Sequence, residues 1–193
     1  AAETKSLMQA MAESGELQTL SAERVWKETE KALTAAHPSQ FFRALDQTGA
    51  LASWFPELVD TFRASAETKG RAAPHPRNGV ALMAALEASS HSQDALEARA
   101  AIVFSRPEAP YCEALLNRLK PPNRVRDTVL LAQRQMTLLT DALGLGDAAG
   151  THAARTALLL DHDGLRRPER LAAALTACAR YTGIAPNKAL DWL

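Results

Sequence analysis

The sequence lacks the features that mark several classes of protein. It has only two cysteines, Cys112 and Cys178, and neither belongs to a CxxC pair or a zinc pattern, so free thiols in a reducing, cytoplasmic setting are expected. No stretch approaches the roughly 18 apolar residues of a membrane span, and the charged N-terminus is unlike a signal peptide. Basic and acidic residues both number 22, and this zero net charge argues against an indiscriminately basic nucleic-acid binder.

What the chain does contain is typical of helices. Of its 193 residues 47% are hydrophobic, and no run alternates with the period of a strand. Ser21 is placed to cap a helix whose apolar stripe includes Val25, Thr29 and Leu33. We predict an all-α fold, a bundle of antiparallel helices in two units. The predicted helices lie near residues 3–14, 22–36, 38–48, 50–55, 78–90, 93–104, 110–119, 123–143, 148–161, 167–182 and 186–192.

Composition divides the chain at residues 63–77, a polar segment that contains Gly70, Pro74 and Pro76. We interpret this segment as a linker or hinge between a helical region at 1–62 and a helical body at 78–193. The chain starts without methionine inside an apparent helix, which suggests a piece of a longer protein.

Charge is unevenly distributed along this neutral chain. Residues 1–98 hold 9 basic and 13 acidic side chains, whereas residues 99–193 hold 13 basic and 9 acidic ones. The basic excess is concentrated in two short clusters, which consist of Arg118, Lys120, Arg124 and Arg126, and of Arg166, Arg167 and Arg170. Clustered guanidinium groups bind phosphate bidentately, but a solvated basic turn is an equally good interpretation of either cluster alone.

Catalytic and metal-binding patterns are scarce. No GxSxG, GxxxxGKS, GxGxxG or HExxH motif occurs. The run Asp161-His162-Asp163 is better explained as a charged helix end beside Gly164 than as a metal site, because adjacent helical residues point in different directions. Arg24 and Glu28 are spaced to pair on one helix face. Taken alone, the sequence predicts no catalytic residue and no bound metal.

One long run resembles a known family. The segment GELQTLSAERVWKETEKALTAAHPSQFFRALDQTGALASWFPEL is similar to the neck of the bacterial-type (class II) CCA-adding tRNA nucleotidyltransferases. The similarity is strong over residues 13–58. Beyond residue 74 it is patchy and rests on APHPR, LLNRLKPPNRVRD and GLRRPERL, which resemble body segments of longer members.

The resemblance implies that catalysis and tRNA binding belong to different parts of the enzyme. In the family an N-terminal head binds Mg²⁺ and an adjoining segment selects CTP and ATP, so the matched neck, body and tail are expected to be inactive alone. By this resemblance the 1–62 region is neck-like and Arg24 and Glu28 support the nucleotide pocket. The two basic clusters would face the tRNA, which makes the body at 78–193 an RNA-binding body and tail. The expected partner is therefore tRNA, with no membrane contact and no prediction of oligomeric state.

Other functions remain open at this stage. Many long family members carry a His-Asp phosphohydrolase domain in this region, but the expected His-Asp pair is replaced here by Phe104-Ser105 and a later histidine by Met136. Phenylalanine and methionine do not ligate a hard cation, so that hydrolase activity on 2′,3′-cyclic phosphates is not expected. The alternatives are a helical protein-interaction module on a degenerate scaffold of this kind, or a fragment of a poly(A) polymerase.

Overall fold

The computed structural model describes residues 2–63, 79–92, 94–106, 108–145 and 147–193, and these residues form helices without a strand. The all-α prediction is confirmed. None of the described helices combines the length and the apolar character needed to cross a membrane. The helices are α1 (Ala2–Glu13), a 3₁₀ helix (Glu16–Thr19), α2 (Ala22–Thr34), α3 (Ser39–Gln47), α4 (Leu51–Trp54), α5 (Pro56–Arg63), α6 (Gly79–His91), α7 (Leu96–Phe104), α8 (Ala109–Leu119), α9 (Asn123–Arg134), α10 (Met136–Ala142), α11 (Ala148–Leu160), α12 (Pro168–Thr182) and α13 (Pro186–Leu190).

Local sequence signals define several helix ends. The Ser21 side chain accepts a hydrogen bond from the Arg24 backbone N–H at 3.3 Å, so the predicted cap of α2 is confirmed. Gly15 follows α1 with φ of 78°, the left-handed conformation expected where a glycine stops a helix. Pro38 precedes α3 as its cap residue, one position earlier than the first-turn position predicted for it.

Two helix boundaries differ from the prediction. The helix predicted near 50–55 ends before Pro56 as α4, but Pro56 begins a further helix, α5, which was not predicted and in which the missing N–H of proline is not needed. The predicted helix at 123–143 is broken at Gln135, where φ is −111° and ψ is 26°. Neither glycine nor proline marks this break. It lets α10 pack against α11 and α12 and bury Leu139 completely.

A cluster of buried aromatic rings joins the first helices to the later ones. Phe42 of α3, Phe55 between α4 and α5, and Phe104 of α7 are fully buried, with ring centroids 5.9–6.3 Å apart. One continuous hydrophobic core therefore includes side chains from both sides of residues 64–78. The predicted linker at 63–77 lies, except for its first residue, outside the described residues, and the division into two units stays a prediction.

Buried polar contacts reinforce this core. Arg99 of α7 donates hydrogen bonds of 2.8 Å to the carbonyl oxygens of Leu33 and Asp94. The Asp94 carboxylate in turn binds Arg180 of α12 through two contacts of 2.7 Å, with both side chains largely buried. The hydrogen bonds of Arg99 and the Arg180–Asp94 ion pair together link α2, α7 and α12. They also remove basic side chains from the surface.

A tight turn between α11 and α12 determines where the second basic cluster lies. Asp161 ends α11, and Asp163 has a positive φ of 59°. Gly164 is buried, and its N–H donates to the Leu158 carbonyl oxygen at 3.1 Å. A Cβ atom added at Gly164 would lie 2.5 Å from that oxygen and 2.9 Å from the Leu159 Cα. The run Asp161-His162-Asp163 therefore lies at the end of α11 and in the turn that leads into α12, as expected for a charged helix end.

We predict that Gly164→Ala destabilises the protein by about 2–3 kcal/mol, because the backbone atoms around the added methyl group must move apart. The free energy of unfolding is measured by urea titration followed by circular dichroism. Gly183→Ala is the matched control, since a Cβ at Gly183 has no atom within 4 Å and only its φ of 73° opposes alanine. Equal losses in the two variants would contradict the proposed close contact.

Candidate nucleic-acid interface

Two basic clusters that are distant in sequence meet at one groove. Helices α9 and α12 pack against each other, and their first turns line the same cavity of about 660 Å³. Arg124 enters this cavity from α9, and Arg167 and Arg170 enter it from the start of α12. Three of the seven predicted cluster residues are therefore neighbours. We call this cavity the α9/α12 groove.

Acidic side chains accompany the arginines of the α9/α12 groove. Arg124 Nε lies 2.9 Å from Glu97 Oε1, and Arg167 Nη1 donates to Asp127 Oδ2 at 3.0 Å. Both arginines remain open to solvent, with side chains 71% and 51% exposed. Each contact uses one guanidinium nitrogen, and the other two have no hydrogen-bond partner within the described ranges. Such exposed ion pairs contribute about 0–1 kcal/mol, so an incoming phosphate can compete for the arginine.

Arg170 occupies the wall between the α9/α12 groove and a second cavity. Its Nη2 donates to the His162 carbonyl oxygen at 2.6 Å, whereas its Nε is buried without a hydrogen-bond partner. The second cavity, of about 340 Å³, is also lined by Asp127, Asp161 and Asp163. A buried N–H without an acceptor is unfavourable.

Arg118 has a structural role in this fold. Its Nη2 donates to Glu57 Oε2 at 2.6 Å and to the Trp54 carbonyl oxygen at 3.0 Å. Only 8% of the Glu57 side chain is exposed, compared with 33% of the Arg118 side chain. These bonds link α8 to α4 and α5. An RNA contact of Arg118 stays a prediction.

The remaining predicted cluster residues lie outside the lining of the α9/α12 groove. Lys120 is exposed at the end of α8, where its φ of 49° gives it a left-handed conformation. Arg126 is half-buried. The pKa of the Cys112 thiol is raised to about 11, chiefly by burial, and the charge of Arg126 opposes this rise. Arg166 is exposed, and its side chain has no partner among the residues that the structure describes. Their RNA contacts also stay predictions.

Arg24 and Glu28 lie beside a different cavity, an apolar one of about 140 Å³ that is formed by the N-terminal helices. Both are exposed, and no ion pair joins them in the described structure; the pairing partner of the neighbouring Lys27 is Glu23, at 2.9 Å. Helical spacing alone therefore does not make Arg24 and Glu28 a pair. The rest of the cavity is lined by apolar side chains: Leu17, Leu20, Val25, Phe41, Leu45, Ala50, Trp54 and Phe55.

The described residues do not assemble a metal-ligand set. Among them no three histidine, cysteine, aspartate or glutamate side chains converge in a way that could hold a metal ion. Phe104 is completely buried in the aromatic cluster, and Met136 is buried at the start of α10. Phe104 and Met136, which replace histidines expected from the family resemblance, are therefore part of the hydrophobic packing.

Sequence reasoning missed the acidic members of the groove. Asp127 is three residues after Arg124, but it pairs with Arg167 of another helix. Glu97 belongs to α7 and has no local sequence signal that links it to Arg124. Only the packing of α7 and α12 against α9 brings these carboxylates to the arginines. A search for basic clusters alone therefore overestimated the positive charge of the site.

Comparison with known proteins adds a family to this geometry. Residues 1–61 match the family described as the probable RNA- and SrmB-binding site of polymerase A. Over 203 aligned residues the chain is 35% identical to a CCA-adding enzyme of Alteromonas mediterranea, with 98% of the chain and 49% of that protein covered. The chain is 33% identical to a multifunctional CCA protein of Pseudomonas putida, with 91% of the chain and 42% of that protein covered. No solved structure matches the chain significantly.

The chain is similar to the C-terminal part of CCA-adding enzymes. It spans about half the length of the curated relatives it matches and corresponds to their C-terminal part. The resemblance inferred from the ERVWKE and FPEL segments is thereby confirmed. The family match at residues 1–61 contains α1 to α4 and most of α5, and the α9/α12 groove lies outside that match.

We predict that Arg118→Ala lowers the free energy of unfolding by about 2–3 kcal/mol, because the buried Glu57 carboxylate loses its partner. Urea unfolding measures the loss, and Glu57→Gln in the same chain should restore part of it. Arg134→Ala is the control, since its 2.5 Å pair with Glu113 is about half exposed on both sides and should contribute under about 1 kcal/mol. A loss within the range of that control would refute a structural role for Arg118.

Proposed function

We propose that this chain is the tRNA-binding C-terminal part of an enzyme that adds CCA to tRNA 3′ ends, and that the α9/α12 groove holds the tRNA backbone. The names of its relatives and the RNA-binding description of the family support the first statement. The convergence of Arg124, Arg167 and Arg170 on one groove is the observation that carries the second.

The groove suits the phosphates of a folded RNA better than its bases. Guanidinium groups bind phosphate oxygens through two parallel N–H bonds, and each of the exposed Arg124 and Arg167 uses one guanidinium nitrogen for its carboxylate partner among the residues that the structure describes. The first turns of α9 and α12 also line the same cavity, and the N-terminus of a helix carries a partial positive charge that favours an anion. Double-helical RNA is recognised mainly by its shape and its backbone, so the groove would hold many tRNAs alike.

In this proposal, nucleotide addition takes place in the part of the enzyme that this chain does not span. The side chains described here do not fit a Mg²⁺ site, because carboxylates such as Asp127, Asp161 and Asp163 do not form a ligand group of three. We therefore place Mg²⁺, CTP and ATP in the half of the enzyme that this chain does not span. The role of this chain is to position the tRNA, in the cytoplasm where CCA addition would take place.

Arg24 and Glu28 keep a supporting role in the proposal. They are exposed beside the apolar cavity, where polypeptide that completes the nucleotide pocket could pack on Leu20 and Phe41. Their separate carboxylate and guanidinium groups would then be available to that polypeptide. This part of the proposal rests on the position of the cavity within the family match at residues 1–61.

We expect the chain to bind a tRNA transcript weakly, because its net charge is zero. The double variant Arg124→Ala/Arg167→Ala should weaken that binding about tenfold in 50–100 mM salt. The slope of log K against log salt should fall by about two, one for each lost phosphate contact. Fluorescence anisotropy over a salt series measures both quantities, and circular dichroism verifies that the variant is folded.

Lys31→Ala/Lys188→Ala removes the same charge from exposed positions on α2 and α13, outside the groove. This control should keep at least half of the affinity. If both double variants weaken binding equally, only general electrostatics is at work. If neither does, the groove is not the tRNA site.

A further inference from the structure

We propose that Glu97 and Asp127 are specificity-determining residues, whose carboxylates keep the α9/α12 groove near neutrality so that it accepts a rigid duplex and rejects single-stranded polyanions. This inference rests on the proposed tRNA interface. It assigns a function to two acidic side chains that a phosphate-binding surface would otherwise be better without.

The geometry places each carboxylate behind one arginine. In the Arg124–Glu97 pair, whose atoms are 2.9 Å apart, the arginine side chain is 71% exposed and the glutamate side chain is 18% exposed. At the pair with a 3.0 Å separation, the Arg167 side chain is 51% exposed and that of Asp127 is 38% exposed. The guanidinium groups therefore reach the solvent first, and a phosphate that approaches them also approaches the carboxylates.

The balance of charge in the groove is close to even. Arg124, Arg167 and Arg170 line it together with Glu97, Asp127 and Glu169. Opposite charges at contact distance largely cancel at the distance from which a phosphate is attracted. One phosphate alone consequently gains little by entering, and useful binding requires phosphates that contact more than one arginine at the same time.

A duplex meets this requirement more easily than a flexible strand. The phosphates of double-helical RNA are held at fixed positions, so they engage separate arginines without further ordering of the chain. A single strand must lose conformational freedom to make the same contacts, and a neutral groove returns too little energy to offset that loss. The carboxylates thus weaken the binding of a single strand more than they weaken the binding of a duplex.

The test compares Glu97→Gln/Asp127→Asn with the parent chain, using a tRNA transcript and poly(U) as ligands at several salt concentrations. We expect poly(U) to bind about tenfold more tightly and tRNA about threefold more tightly, so that the preference for tRNA falls about threefold. Both amides keep the shape of the side chains. Glu23→Gln/Asp191→Asn is the control, because it removes two exposed acidic charges outside the groove.

The outcomes separate this inference from the function on which it rests. If the preference for tRNA is unchanged in Glu97→Gln/Asp127→Asn while Arg124→Ala/Arg167→Ala still weakens tRNA binding, the inference is wrong and the interface stands. An equal fall in preference in the control would also overturn the inference, since net charge would explain it. If the arginine variant binds tRNA like the parent chain, the interface and the inference both fail.

Discussion

The packing of α9 against α12 is the contact on which the proposed interface depends. Two short buried side chains, Thr128 on α9 and Ala173 on α12, line the cavity where these helices pack. Their first turns then line one cavity, and arginines that are far apart in the sequence become neighbours. Gly164 contributes by permitting the tight turn that leads into α12. The site is thus a property of helix packing and not of a local motif.

Much of the fold follows from local signals in the sequence. Ser21 and Gly15 mark helix ends through hydrogen bonding and backbone conformation, and these act over a few residues. The break at Gln135 has no such local cause, because it is stabilised by the burial of α10 against helices distant in sequence. The same holds for the aromatic cluster, in which Phe42, Phe55 and Phe104 meet only because helices distant in sequence pack together. Tertiary contacts, which a single sequence does not display, decided both features.

The candidate site was predictable in residue type and less so in arrangement. Arginine clusters indicated phosphate binding, and Arg124, Arg167 and Arg170 do converge. Arg118 belongs to the same sequence cluster as Arg124, yet it faces Glu57 on another part of the molecule. Arg118 lies at the end of α8 and Arg124 at the start of α9, so residues that are close in the sequence belong to different helices and do not have to form a cluster on the surface. The carboxylate partners were invisible for the same reason, since their proximity arises only when three helices pack together.

Net neutrality hides two different uses of positive charge in this chain. Some basic residues are internal: Arg99 and Arg180 connect helices, and the Arg106 guanidinium lies 3.4 Å from the centre of the Tyr181 ring. Burial lowers the pKa of Arg106, although an arginine remains charged in a protein. Such residues contribute to the charge count without attracting RNA. In the proposed function, RNA binding therefore depends on a few exposed arginines held at defined positions, and the geometry of the groove selects the ligand more than the total charge does.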